Sequence, residues 1–226
     1  MRNVVTTKFA VLLTWLGFLT ACATTEMPAT SPEGLALQPD TKVGALYMRP
    51  GAVLKDYDEF GVTSCNVAFR KNWLRDQNSQ RLDLSSRVSQ RDVDKIKDTL
   101  SEHCEAAFRS ALQEEPAYKL VDEFADGEQV LVLRPSIVNL DINAPDKMSA
   151  GMTRSYTTSA GEMTLILEVL DATTGELLAR VIDKKRGLDT GRLEWTNSVT
   201  NRAAADRALK GWARQLRTAL DSAHGL

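Results

Sequence analysis

The chain has 226 residues, of which 43% are hydrophobic and 26% charged, with a formal net charge of −2; that is ample length for one domain with a buried core. With 28 basic against 30 acidic side chains there is no basic footprint, so no nucleic-acid partner is expected. Two histidines and three cysteines never fall at zinc-ligand spacing, and no glycine-rich phosphate loop follows a strand, so no metal and no nucleotide cofactor are expected.

Residues 1–21 read as a secretory signal, with Arg2 and Lys8 ahead of an apolar run at 9–19 and small residues before a cut. The run is too short to span a bilayer, which takes roughly 20 apolar residues. Leu19-Thr20-Ala21-Cys22 looks like a bacterial lipobox, in which the chain is cleaved before Cys22 and its thiol acylated. Two plainer readings stay open: a chance cysteine near an ordinary cleavage site, or an uncleaved anchor. Ala23 follows Cys22 where an aspartate would favour retention in the inner membrane, which points to the outer one. Cleavage removes Arg2 and Lys8 and no acid, so the mature chain is more acidic still.

Residues 22–40, rich in Thr, Ala, Pro and Glu, lack periodicity. They are expected to be the lipidated cysteine and a flexible linker, spanning on the order of 20–25 Å as coil. Residues 41–226 are then expected to form one periplasmic domain. Residues 43–48 form a strand candidate stopped by Pro50-Gly51, and 62–69 alternate loosely as another. Residues 70–88, polar and Arg-rich around Trp73 and Leu74, read as loop.

Ser89 with Asp92 three residues on forms a capping-box variant. Val93, Ile96, Leu100, Cys104, Phe108 and Ala111/Leu112 follow as one apolar helical stripe, which Pro116 ends. Cys104 lies on that stripe. Beyond Cys22 the remaining cysteines, Cys65 and Cys104, are an even pair in an exported chain and are expected to form a disulfide with the strand layer. Closing that loop is worth roughly 4 kcal/mol in the chain-entropy model. Two buried free thiols are the alternative.

Residues 118–124 and 129–143 read as a hairpin around Ala125-Asp126-Gly127, with Pro135 at a bulge or an edge. Residues 144–158 read as loop. Residues 162–170 and 177–183 form a second hairpin through the turn 171–176, with Met163, Leu165, Leu167 and Val169 on one face. Asp171 caps that turn and Gly175 supplies positive φ. A last helix over 201–222 carries Ala205, Ala208/Leu209, Trp212, Leu216 and Ala219/Leu220 as its stripe. Gly211 inside it suits a close approach to the sheet. The pattern predicts an α+β two-layer sandwich, a mostly antiparallel sheet of about six strands with two helices on one face.

Tyr118-Lys119-Leu120-Val121-Asp122, Val130-Leu131-Val132-Leu133-Arg134-Pro135, Gly161-Glu162-Met163, and Glu168-Val169-Leu170-Asp171 running into Thr174-Gly175-Glu176-Leu177-Leu178-Ala179 resemble a bacterial lipoprotein family. That family is known only as domain of unknown function three-three-one-three. With the lipobox and both helices the likeness covers most of residues 41–222. It implies an exported, membrane-tethered globular domain and supplies no activity. The Arg-rich insert around Trp73 departs from the family's pattern.

No residue set identifies a reaction. His103 adjoins Cys104, but neighbours on a helix point about 100° apart, so they do not form a nucleophile–base pair. His224, close to the C-terminus, is expected to be disordered. Glu114, Glu115, Asp122, Glu123, Asp126 and Glu128 lack EF-hand spacing and read as a solvated acidic edge rather than a calcium site. Lys184-Lys185-Arg186 is either a solvated strand end or a contact for lipid phosphates. Trp73 and Trp195 either stack on sugars or pin loops to the core. The expectation is an outer-membrane lipoprotein facing the periplasm, a non-catalytic binding or structural component with a protein, glycan or lipid partner. The alternatives are a cell-wall hydrolase using a carboxylate pair and a carrier of a small apolar ligand.

Overall fold

The computed structural model describes residues 27–79, 81, 84–123, 129–143, 156–157, 161–187, 194–195 and 198–226. Three helices occur among them: α1 (Trp73–Ser79), α2 (Gln90–Leu112) and α3 (Ser198–His224). The strands are β1 (Ala36–Leu37), β2 (Ala45–Met48), β3 (Glu59–Val62), β4 (Asn66–Phe69), β5 (Lys119–Val121), β6 (Val130–Asp141), β7 (Tyr156–Thr157), β8 (Glu162–Asp171), β9 (Leu177–Arg186) and β10 (Glu194–Trp195). Eight form one open mixed sheet in the order β1-β2-β9-β8-β6-β3-β5, with β4 also on β6; β7 and β10 pair separately. The simple antiparallel sandwich of about six strands and two helices therefore does not hold.

The difference starts at residues 118–143. β5 does not fold back on β6: β3 lies between them, and all three run parallel. Local turn chemistry suggested a hairpin, whereas β3, distant in sequence, takes the partner position. β4 continues along the same edge of β6, so residues 59–69 form two short strands separated by Thr63-Ser64-Cys65 rather than one. Pro135 explains the break. It lies two residues beyond Leu133, whose carbonyl accepts from Thr63 N–H, so the missing proline donor faces the gap between β3 and β4. Further on, Asn139 takes φ 52° at a bulge, which shifts the alternation so that Ile137 and Leu140, three apart, share the buried side.

The helix expectations hold more closely. Ser89 and Asp92 form the reciprocal capping box at the start of α2. Val93, Leu100, Cys104, Phe108, Ala111 and Leu112 are buried along one side. α3 buries Leu209, Trp212, Ala213 and Leu220. Both helices pack on one sheet face, against Phe60, Leu131, Leu133, Ile137, Leu165 and Leu167. Gly211 does not mark a close approach: a Cβ there would meet nothing within 4 Å.

Residues 70–88 are not all loop. Arg70 pairs with Asp141 at 2.7 Å and Asp76 at 2.6 Å, and α1 folds behind it. The linker expectation for residues 22–40 also fails from Thr30 onward. Thr30 bridges Ala36, β1 pairs with β2, and Leu35 is 0% exposed. The apolar residues that fold this segment, Leu35, Ala36 and Leu37, are too few to produce a periodic signal.

Candidate functional site

Cys22 lies outside the described residues. Cys65 and Cys104 are joined, with Cα atoms 6.0 Å apart, and Ser101 Oγ donates to Cys65 O at 2.6 Å. The bridge fastens α2 to the break between β3 and β4, where ladder bonding is interrupted. Cys104 is fully buried, so the bridge is a structural fastening rather than an accessible redox centre.

The other sequence candidates scatter. Trp73 is buried, stacked on Phe69 at 4.1 Å, and donates to Ile142 O at 2.8 Å, so it pins α1 to the core and offers no sugar platform. The side chain of Trp195 lies outside the description. His103 pairs with Asp206 at 2.7 Å, joining α2 to α3. His224 is ordered in the last turn of α3, contrary to expectation, with its ring nitrogens 2.9 Å from Leu220 O and 3.1 Å from Tyr57 O. Lys184 and Arg186 both pair with Glu162, at 2.8 and 3.0 Å, and Lys185 with Asp183 at 3.0 Å. These acids neutralise the basic run that was a candidate for lipid phosphates. Glu114, Glu115, Asp122 and Glu123 are exposed, Asp122 pairs with Arg109, and Asp126 and Glu128 lie outside the described residues. No group of three or more metal-ligating side chains occurs among the described residues.

The residues that do come together were not singled out as a group. An open cavity of about 710 Å³ lies at the turn end of the β8–β9 hairpin, lined by Arg49, Val53, Asp56, Tyr57, Asp171 and Glu176 among others. The hairpin forms as the sequence predicts. Asp171 Oδ1 accepts the N–H groups of Thr173 and Thr174 at 2.6 and 3.1 Å, and Gly175 takes φ 67°. Asp171 Oδ2 accepts the Tyr57 hydroxyl at 2.6 Å. Arg49 Nε donates to Leu177 O at 2.8 Å and lies 3.0 Å from Glu176.

That Tyr57 hydrogen bond, with the turn N–H groups, outweighs burial and holds Asp171 below the usual carboxylate range. Burial first, and the Asp171 hydroxyl acceptor and charge second, push the Tyr57 hydroxyl above its ordinary value. At neutral pH the wall therefore presents a fixed anion beside a neutral phenol. A second cavity, of about 70 Å³, lies between α3 and the sheet beside Met163, Asn201 and Ala205; at that size it suits a few waters and not a lipid chain.

Two buried charges organise the body. Asp183 is 7% exposed and accepts Trp212 Nε1–H at 2.7 Å and Gly44 N–H at 2.9 Å. Burial by itself would raise its pKa; the bonds from Trp212, Lys185 and Gly44 prevail and lower it. Arg217 is 6% exposed and donates to the carbonyls of Ala111, Leu112, Glu114 and Pro116. It caps the end of α2 from α3. A sequence signal existed for Asp183, which puts a charge where the alternation of Ala179 and Val181 in β9 calls for an apolar side chain; Arg217, beside Leu216 of the α3 stripe, carried none.

On the sheet face opposite the helices, Arg134, Glu168, Arg180 and Glu33 form a ladder. Arg180 reaches Glu33 at 2.9 Å and Glu168 at 2.7 Å, and Arg134 reaches Glu168 at 2.8 Å. Hydrogen bonds, first from Arg180 and then from Ser31, bring the Glu33 carboxyl down to about 2.

Fold and site together define an open-sheet α/β domain stapled by the Cys65–Cys104 disulfide. The chain matches, over residues 30–216, the family described as "Protein of unknown function (DUF3313)", and it belongs to that family. No curated protein matches it. Among solved structures it is similar to the PelC dodecamer from Paraburkholderia phytofirmans, at 9% identity and a TM-score of 0.38, covering 76% of this chain and 96% of that one. It is also similar to a DUF330 protein from Xanthomonas campestris, at 13% identity and a TM-score of 0.31, covering 76% of this chain and 92% of that one. Likenesses this distant carry no argument about function.

Proposed function

We propose that this chain is an exported lipoprotein, cleaved before Cys22, acylated there, and held on the periplasmic side of the outer membrane, where its domain works by binding. The observation that carries the reading is the Cys65–Cys104 bridge in a chain that starts with a lipobox-like segment. Structural disulfides persist in oxidising compartments, and the periplasm is one. Ala23 favours the outer membrane as the destination. The partner is an envelope protein or glycan, and the wall of the 710 Å³ cavity is its candidate contact.

Cys22→Ser tests the tether. The variant is expected to leave the membrane fraction for the soluble periplasm, and full retention would overturn the anchor. A hydrolase remains the second reading because Asp56, Asp171 and Glu176 share one cavity wall. It requires purified protein to degrade peptidoglycan and Asp171→Asn or Glu176→Gln to abolish that activity.

A further inference from the structure

We propose that residues 28–37 form a strap that docks on and detaches from the domain as a unit, and that its docking sets how far the domain can reach from its anchor. Detachment rests on the structure; its consequence for reach rests on the acylation of Cys22 proposed above.

The strap is held together from within. Leu37 N–H donates to Ala29 O at 2.9 Å, Ser31 N–H to Leu35 O at 2.8 Å, and Leu35 N–H to Ser31 Oγ at 3.2 Å. Its ties to the body are few. β1 pairs only with β2, through Ala36–Met48 and Leu37–Tyr47. Leu35 is buried in a small cluster with Ala45 and Tyr47, separate from the core that joins α2 and α3 to the sheet. Further ties are the Tyr47 hydroxyl, which donates to Pro28 O at 3.0 Å, the ion pair of Glu33 with Arg180, Gln38 N–H donating to Leu46 O at 2.8 Å at the strap's end, and Leu37, half-buried against the same small cluster as Leu177 and Ile182.

The body does not depend on these ties. β2 stays paired to β9 over four residues, and Arg180 keeps its bond to Glu168. The segment joining β1 to β2 contains Asp40 at φ 55°, a left-handed conformation that opening would relieve. Units with few buried contacts and an edge position open without global unfolding.

The effect on reach follows from chain length. With the strap docked, six residue steps separate Cys22 from Pro28, at most about 20 Å of extended chain. With it released, the first fixed residue is Gly44, whose N–H Asp183 holds, and 22 steps allow about 75 Å. A docked strap keeps the domain against the bilayer. A released one lets it reach outward, and uncovers the free edge of β2 beside Arg180.

Hydrogen exchange on the full-length protein in detergent tests the detachment. The amide of Gln38, which donates to Leu46 O across the join of the strap to β2, is expected to exchange at least ~100-fold faster than those of Leu165 and Leu167 in β8. Glu33→Ala should speed exchange at Gln38 several-fold and leave Leu165 and Leu167 unchanged. Equal exchange in strap and β8, or acceleration of both by Glu33→Ala, would overturn the proposal. Reach is read by energy transfer from a dye at exposed position 102 to acceptor lipids in vesicles carrying the acylated protein. Leu35→Asp should lower the transfer while the body's urea midpoint stays within a few tenths molar. Unchanged transfer, or collapse of the body, would overturn the strap's role. Loss of vesicle association in the parent protein would instead indict the anchor and leave the exchange result standing.

Discussion

Arg217→Met is the most informative stability perturbation. It removes one guanidinium that is 6% exposed while keeping an apolar stem of similar length. The variant leaves the carbonyls of Ala111, Leu112, Glu114 and Pro116 without their shared donor, the first two in buried positions. It also removes the 2.6 Å bond to Asp221 and the cation over the Tyr118 ring, 4.6 Å from its centroid. Breaking a buried charged pair costs about 3–5 kcal/mol. Asp221 retains the Tyr118 hydroxyl at 2.9 Å, which favours the lower end, about 3 kcal/mol. For a domain of this size that corresponds to a fall in Tm of roughly 6–12 °C. The assay is urea unfolding followed by far-ultraviolet circular dichroism under oxidising conditions, with the slope m unchanged. Arg217→Lys should recover less than half, since one ammonium cannot span four carbonyls. A loss below about 1 kcal/mol for Arg217→Met would refute the view that α3 caps α2 through this residue.

Gly211→Ala should stabilise by about 1 kcal/mol in the same assay, because a Cβ meets open space there and the helix gains propensity; destabilisation would mean the helix backbone is closer to a neighbour than it is here. Reducing the Cys65–Cys104 bridge closes off a constraint spanning 39 residues and should cost roughly 4 kcal/mol, read as a lower urea midpoint, with an unchanged midpoint as the contrary result. Asp183 has its pKa lowered in the folded chain from an ordinary value of 3.8, so its stabilisation is present above that value and lost as pH falls through the folded one. Asp183→Asn should therefore be less stable at neutral pH and show a shallower loss as the pH falls below about 4; parallel acid titrations of the two proteins would contradict it.

What was legible in the sequence tracks the range of the interactions involved. The capping box of Ser89 and Asp92, the stripe of α2 and the Asp171 turn depend on neighbours within a few residues, and each forms as read. β3 between β5 and β6 does not. Its four residues carry no periodic signal, and its place is set by pairing with Val130–Leu133, about 70 positions away. Pro135 was recognisable as a disruption, but only the pairing of Leu133 with Thr63 shows which edge it disrupts. The strap was missed because Leu35, Ala36 and Leu37 are too short an apolar run to show a period, and the partners of Leu35, Ala45 and Tyr47, belong to another element. The cavity wall draws Arg49, Tyr57 and Asp171 from three separate stretches, so no spacing announced it.

The account rests on a processed, acylated amino terminus, and intact mass measurement of the protein extracted from membranes tests that directly. The expected species begins at Cys22, lacks residues 1–21 and carries the added mass of its acyl chains. A species with an unmodified amino terminus, or one retaining residues 1–21, would contradict the anchored reading and the reach argument built on it.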